Sequence, residues 1–117
     1  MQTTHTNKNT SLQFTVNKKQ VSKNKTLKTS VLYNKIEASA NSSLILYDDS
    51  TNFSFKSIDF DIHKNAFLND KLVIKNYIKK LNNTEIVLQV TVSKKEKDQQ
   101  NIICKVVFAY NLNKKSI

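Results

Sequence analysis

Few side chains in this chain of 117 residues are of the types that bind metals or act as nucleophiles. There are two histidines, His5 and His63, and a single cysteine, Cys104. A protein metal site needs three or four converging ligands, and neither histidine has partners at ligand spacing. Cys104 stands in a run of alternating apolar residues, where a thiol behaves as a small hydrophobic side chain. The sequence therefore predicts no metal site and a buried, unreactive Cys104.

The absence of Gly excludes several phosphate-binding sites. The chain has no Gly, Pro, Trp or Arg, so all nineteen basic residues are Lys. Gly-rich phosphate loops, dinucleotide fingerprints and EF-hand loops all require Gly. A formal net charge of +10 is typical of proteins that bind nucleic acids. However, the chain also contains fifteen Asn, and both Lys and Asn have AT-rich codons. Codon bias therefore explains much of the charge, and a nucleic-acid-binding domain ranks last among the hypotheses.

Length and apolar content favour a single folded domain. Residues 1–10 are polar and unpatterned, and we expect a disordered leader there, followed by one domain over 11–117. No apolar run is long enough for a transmembrane helix, and the first residues lack the apolar core of a signal peptide. A lone cysteine without a disulfide partner is common in reducing compartments. We therefore expect a cytoplasmic protein that does not enter the membrane.

The spacing of apolar residues predicts one long helix over 29–47. Its apolar positions recur every three or four residues, at Leu32, Ile36, Ala40 and Leu44. Thr29 or Ser30 has a side-chain oxygen suited to capping the first turn. The middle of the helix, 38–43, contains only small side chains and Asn, which allows a close approach to a sheet.

Alternation of apolar and polar residues predicts five strands around this helix. One precedes it, at Leu12, Phe14 and Val16, and four follow it, over 53–62, 70–80, 84–94 and 101–112. The apolar parity changes within 53–62, which indicates a bulge near Lys56 and Ser57. Asn82 and Asn83 form the next turn, where Asn tolerates positive φ. The order predicts an α+β domain, with one helix on a five-stranded, mostly antiparallel sheet.

Two motifs resemble those of a known protein family. The first covers His63 to Leu72, and the second covers 81–84, between two predicted strands. In that family the region reads basic-Pro-Ala-x-x-Gly-Asp, then Gly-basic-Thr/Ser between two strands. Here Asn65 takes the Pro slot, Asn69 and Asn82 take Gly slots, and Asn83 takes the basic slot. With the element order over 12–112, this resembles the hotdog fold of acyl-CoA thioesterases.

The resemblance implies an active site around the helix. The family's Asn, first Gly, Gly pair and acidic residue fall on Ser22, Lys25, Thr29 with Ser30, and Glu37. Glu37 would be the carboxylate that activates water or attacks the thioester carbonyl. The backbone amides of Ser30 and Val31 would stabilise the oxyanion. Asn24 can replace the missing family Asn if the loop shifts its register.

The resemblance also implies the partners. We expect an acyl-CoA or acyl-carrier thioester as substrate, with CoA only as part of it and no other cofactor. Lys64, Lys79, Lys80 and Asn83 are the expected contacts to CoA. Open sheet edges predict a homo-oligomer, either a dimer or a tetramer.

Two alternatives stay open at this stage. The lysines are equally interpreted as solvated hairpin tips, Glu37 as a solvated helix residue, and Tyr33 as a core or interface aromatic. The whole protein can also be a non-catalytic hotdog domain that binds an acyl thioester or acts as an assembly scaffold.

Overall fold

One helix and five strands follow each other in the predicted order. The computed structural model describes residues 10–47, 51–96 and 100–114. The elements are β1 (Thr10–Thr15), a short 3-10 helix (Lys18–Gln20), α1 (Thr29–Tyr47), β2 (Thr51–Ile62), β3 (Lys71–Leu81), β4 (Glu85–Lys95) and β5 (Gln100–Lys114). The bounds of α1 agree with the predicted helix. The predicted leader lies outside the described residues except for Thr10, which belongs to β1.

The five strands form one antiparallel sheet in the order β1-β3-β4-β5-β2. Short connections join β3 to β4 and β4 to β5, whereas α1 lies between the two edge strands in sequence. We call the face that α1 covers the inner face. Its core includes Leu32, Ile36, Ala40 and Leu44 of the helix and Leu72, Ile74, Ile86, Leu88, Val90, Val92, Val106 and Phe108 of the sheet. Among the described residues, no helix has the length and apolar character needed to cross a membrane.

A buried polar cluster fixes the helix on the sheet. Asn76 of β3 is 1% exposed, and its side-chain amide donates to the carbonyl oxygen of Ser39 at 3.1 Å. The Asn76 side chain also bonds to the hydroxyls of Ser39 and Ser43. Buried polar groups stabilise a fold only when they are paired, and these three pair with each other. The small residues of α1 thus meet the sheet closely, as their volume predicts.

The predicted bulge in β2 is confirmed, since the register with β5 shifts between Phe55 and Ser57. Its effect is to keep all the apolar residues of β2 on the inner face. Phe53, Phe55, Ile58, Phe60 and Ile62 are all opposite inner-face residues of β5. Without the extra residue, the parity of a strand would turn the first two to the other face.

Two residues adopt the positive φ that usually requires Gly. These are Lys25, with φ 70°, and Asn69, with φ 74°. Both take slots where the resembled family has Gly, and each lies in a turn joined to neighbouring loops. The amide of Lys25 donates to the carbonyl of Ser22 at 2.9 Å, and the amide of Asn69 donates to that of Val16 at 2.9 Å. Both residues thus have a backbone conformation that Gly adopts without strain.

Two predicted local features are wrong. Among the described residues only Lys25 and Asn69 have positive φ, so the turn at Asn82 and Asn83 does not use it. Instead, the side-chain oxygen of Asn82 accepts from the amides of Thr84 and Glu85, at 2.9 and 3.0 Å. The first helical bond of α1 is accepted by the carbonyl of Lys28. Thr29 and Ser30 are therefore the first helical residues and not the cap.

Candidate active site

Glu37 lies on an exposed flank of α1, on the side toward β5 and β2. The hydroxyl of Tyr33, one helical turn earlier, donates to Oε2 of Glu37 at 3.3 Å. Residues four apart on a helix are neighbours, which makes this contact possible. The ring of Tyr33 stacks on Phe60 of β2, with ring centroids 6.1 Å apart. Tyr33 thus packs on the sheet of its own chain and donates a hydrogen bond to the carboxylate.

Four aromatic rings of β2 and β5 lie on the inner face, two of them buried and two at least partly exposed, and we call these four the aromatic floor. It consists of Phe55 and Phe60 of β2 and Phe108 and Tyr110 of β5. Tyr110 contacts Phe55 edge-on, with centroids 6.0 Å apart, and stacks on Phe108 at 6.1 Å. The sequence alone does not bring these residues together. The alternation in β5 predicts that Phe108 and Tyr110 share one face of the strand. It does not predict that β2 is the neighbouring strand.

The carboxylate acts electrostatically on both neighbouring phenols. Burial raises the pKa of Tyr33 above its usual value, and the negative charge of Glu37 and the hydrogen bond to it raise it further. Burial also raises the pKa of Tyr110 to about 12, with smaller contributions from Glu37 and Tyr33. Both hydroxyls therefore stay protonated at neutral pH and are available as hydrogen-bond donors.

The amides of Ser30 and Val31 are available at the start of α1. The first turn of a helix leaves its amides without intrahelical acceptors, and within the described parts of the chain neither amide has one. Ser30 precedes Glu37 by seven residues, or about 10 Å along the helix axis. A reacting carbonyl must lie about 3 Å from both groups. The backbone positions of the carboxylate and of the amide donors are therefore well separated along the helix of one chain.

Ser22 and Asn24 lie in a tight turn before the helix. The side-chain oxygen of Asn24 accepts from the hydroxyls of Ser22 and Thr26, the latter at 2.7 Å, and from the Thr26 amide at 3.3 Å. The Ser22 hydroxyl is also 3.0 Å from that of Thr26. The oxygen of Asn24 is thus engaged in holding the turn together.

The predicted CoA contacts do not converge within one chain. Lys79, Lys80 and Asn83 lie at the hairpin between β3 and β4, and Lys80 Nζ is 3.1 Å from Oε2 of Glu85. Lys64 lies at the other end of the sheet, where its amide donates to the carbonyl of Ile103 at 3.2 Å. The eleven residues of β3 span about 35 Å at roughly 3.3 Å per residue. Of the four predicted contacts, only Lys79, Lys80 and Asn83 therefore lie near each other.

Cys104 is fully buried in the core, as predicted. Burial raises the pKa of its thiol to about 12, with a smaller contribution from Asp61. Nε2 of His63 is 3.0 Å from Oδ2 of Asp61. In the described part of the chain no three or more His, Cys, Asp or Glu side chains group together in a way that could hold a metal ion.

Comparison with solved structures identifies the fold. A hypothetical thioesterase with coenzyme A from Streptococcus pneumoniae TIGR4 is similar over 93% of this chain and 81% of its own, with TM-score 0.73 and 15% identity. A mutant 4-hydroxybenzoyl CoA thioesterase complexed with 4-hydroxybenzoyl CoA matches 91% of this chain and 84% of its own, with TM-score 0.73 and 10% identity. The hexameric thioesterase y2039 from Yersinia pestis matches 86% and 83%, with TM-score 0.73 and 14% identity.

These likenesses show that the chain has the hotdog fold, with one long helix on a five-stranded antiparallel sheet. No protein-family model matches the sequence, and no curated protein matches it either.

Proposed function

We propose that this protein hydrolyses acyl thioesters, with Glu37 as the catalytic carboxylate. The observation that supports this is the position of Glu37 on the helix of a hotdog fold. There it is exposed, bonded to the Tyr33 hydroxyl and placed beside the aromatic floor. Phe55, the exposed ring of this floor, offers an apolar contact to an acyl group that is attached to a hydrolysable bond. The names of the similar structures, which are thioesterases, support the same reaction.

The reaction follows from the groups that are present. Glu37 takes a proton from water, and the water oxygen attacks the thioester carbonyl. Amides at the start of a helix stabilise the resulting oxyanion. The carbon–sulfur bond then breaks, and the thiolate takes the proton back from Glu37. The products are a carboxylic acid and a free thiol.

The active form in this proposal is a homodimer whose site combines two protomers. Within one helix, Ser30 and Glu37 are about 10 Å apart along the axis. In the proposed dimer, Glu37 of one protomer lies opposite the amides of Ser30 and Val31 of the other, so that both groups contact one substrate. The uncovered inner face of β2 is suited to such an interface, because Phe55 is 59% and Ile62 46% exposed. A hexameric neighbour supports oligomerisation of the fold in general. Lys64 and the lysines at the β3–β4 hairpin are proposed contacts for the CoA part of a substrate.

The test is hydrolysis of a panel of aliphatic and aromatic acyl-CoAs, with detection of the released thiol. We expect Glu37→Gln to lower kcat by about 10²- to 10⁴-fold. Glu96→Gln, at another exposed carboxylate, is the matched control and should leave kcat unchanged. Turnover that is unaffected by Glu37→Gln would show that the carboxylate is not catalytic.

Complementation tests the shared site. Ser30→Pro removes one of the free amides in the first turn of the helix, where no intrahelical hydrogen bond is lost, and we expect it to be inactive alone. If the two protomers share each site, mixing and refolding it with Glu37→Gln should restore up to about a quarter of the wild-type activity, as random pairing of a two-fold dimer gives. No recovery in confirmed mixed dimers would place all the groups of a site in one protomer.

A non-catalytic, thioester-binding function is the second candidate. The observation that favours it is that Thr29 and Ser30 carry side chains at the entrance to the helix, where both are exposed. Side chains there obstruct the approach of a carbonyl to the amides, which Gly would leave open. Binding of an acyl-CoA without hydrolysis would establish this candidate.

A further inference from the structure

The charge of this protein is concentrated in one part of the chain. Residues 1–36 contain seven of the nineteen lysines and none of the nine carboxylates, so they carry +7 of the net charge of +10. Codon bias adds lysine, but it does not by itself remove every carboxylate from one third of a sequence. The clustering therefore indicates a local role.

The fold gathers five of these lysines, those over 18–28, at one end of the molecule, whereas Lys35 lies in α1. The loop over 18–28 and the loop over 64–69 are joined by backbone hydrogen bonds from Leu27 to Ala66 at 2.8 Å and from Leu68 to Lys25 at 3.0 Å. We call the exposed lysines of these two loops the basic end: they are Lys18, Lys19, Lys23, Lys25, Lys28 and Lys64.

Among the described residues, the lysines of the basic end have no counter-charges, whereas paired and unpaired lysines occur together on the sheet. Within the described residues, none of its six lysines has a carboxylate within ion-pair distance, whereas Lys56, Lys80 and Lys94 are each paired with one. Asp70, at the edge of the same loops, is paired with Lys94 at 3.2 Å. An uncompensated cluster of one sign attracts partners of the other sign and speeds their association.

An exposed aromatic ring lies within the basic end. Phe67 is 46% exposed and forms a backbone bridge to Thr26, next to Lys25. An apolar anchor surrounded by charged, solvated side chains is the usual anatomy of a protein–protein contact. A nucleotide with three phosphates, such as that of CoA, would engage only part of this surface. The extent of the basic end and its anchor thus fit a protein with an acidic surface.

We propose that the basic end docks an acidic carrier protein that presents the acyl thioester to Glu37. This rests on the proposed function, since it names the form in which the substrate arrives. The carrier's carboxylates meet the six lysines, an apolar patch of the carrier covers Phe67, and the flexible arm with the thioester extends along α1 toward the aromatic floor. Charge complementarity at such a contact acts mainly on the association rate and is weakened by salt.

Binding tests this docking separately from hydrolysis. The probe is an acidic bacterial acyl carrier protein loaded with an acyl group, titrated against the Glu37→Gln protein, in which turnover is slowed. We expect binding at low salt that weakens at least tenfold between about 0.05 and 0.5 M salt. The variant Lys19→Gln/Lys23→Gln/Lys28→Gln should weaken binding at least tenfold, and Phe67→Ser about tenfold.

The control variant Lys56→Gln/Lys75→Gln/Lys105→Gln removes the same charge from the sheet and should change binding less than about twofold. Circular dichroism checks that each variant is folded. In the active protein, the same acyl group on CoA should lose less than about threefold in kcat/KM from the basic-end variant, and the carrier-bound group at least tenfold.

The outcomes separate the two proposals. Carrier binding that depends on the basic end, without hydrolysis of any thioester, would support the docking and overturn the proposed hydrolysis. Hydrolysis of acyl-CoA without carrier binding would overturn the docking and leave the hydrolysis in place. Equal losses in the two triple variants would also overturn the docking. So would tighter binding, through the same lysines, of an oligonucleotide or of anionic phosphatidylserine vesicles.

Discussion

Two sides of α1 carry polar side chains, and they differ in what surrounds them. On the inner side, Ser39 and Ser43 are bonded to Asn76, which is almost fully buried. On the flank, Tyr33 and Glu37 are bonded to each other, but Glu37 is exposed. The first cluster has its hydrogen bonds satisfied internally and fixes the helix. The second leaves carboxylate lone pairs that a substrate or water can use. The difference indicates which polar groups build the fold and which are available for chemistry.

The largest effect on stability should come from the inner side. Asn76→Ala leaves the hydroxyls of Ser39 and Ser43 without their partner and opens a cavity, and we expect a loss of about 2–4 kcal/mol in the free energy of unfolding. Ser42→Ala, at an exposed position of the same helix, is the control and should cost less than about 0.5 kcal/mol. Urea denaturation measures both. Equal stability of the two variants would mean that the inner cluster does not hold the helix.

A smaller effect is expected on the flank. Tyr33→Phe keeps the ring on Phe60 but removes the donor to Glu37, so kcat should fall about 3- to 10-fold, as the loss of one hydrogen bond of about 1 kcal/mol implies. The free energy of unfolding should change by less than about 0.5 kcal/mol, because the contact is exposed. A loss of stability with unchanged kcat would assign Tyr33 to the fold and remove the distinction between the two sides.

The smallest effect concerns the tyrosine hydroxyls. Glu37→Gln removes the negative charge that raises the pKa of Tyr33 and Tyr110, so both should titrate at lower pH in this variant. NMR of ¹³C-labelled tyrosine follows each residue separately. Circular dichroism of the variant checks that its structure is unchanged.

The raised pKa of Tyr110 also predicts a pH dependence of stability. Its pKa is about 12 in the folded protein and near 10 when unfolded, so the folded state binds its proton more tightly. The stabilisation is complete below pH 10 and is lost as the pH rises toward 12. Tyr110→Phe should therefore lose less of its free energy of unfolding over this pH range than the wild type does. Urea denaturation at several pH values would detect the difference.

The sequence was sufficient for those features that depend on local periodicity. The spacing of Leu32, Ile36 and Ala40 predicted the helix, and the parity change in β2 predicted its bulge. Pairing between distant strands was not available from local patterns. For this reason the sequence does not place Tyr110 near Glu37, although it predicts a strand over 101–112 and a helix over 29–47.

Two further residues show where local patterns misled. Asn76 has the same strand parity as Leu72, Ile74 and Ile78 and so faces the helix. The sequence does not show which groups pair with its side chain, so its role in fixing the helix could not be predicted. Asn82 was expected to form its turn through backbone conformation, whereas it does so through its side chain. A side chain that bonds to nearby amides competes with the conformational preference of the residue.

Lys25 combines a backbone conformation suited to Gly with a charge of the basic end. A residue other than Gly pays about 1–2 kcal/mol for a left-handed conformation, so Lys25→Gly should relieve that strain while removing one positive charge from the docking surface. Selection for a more stable fold and selection for an acidic partner would thus favour different residues at this position. Lys at position 25 is the residue that selection for an acidic partner favours, and Gly is the one that selection for stability favours.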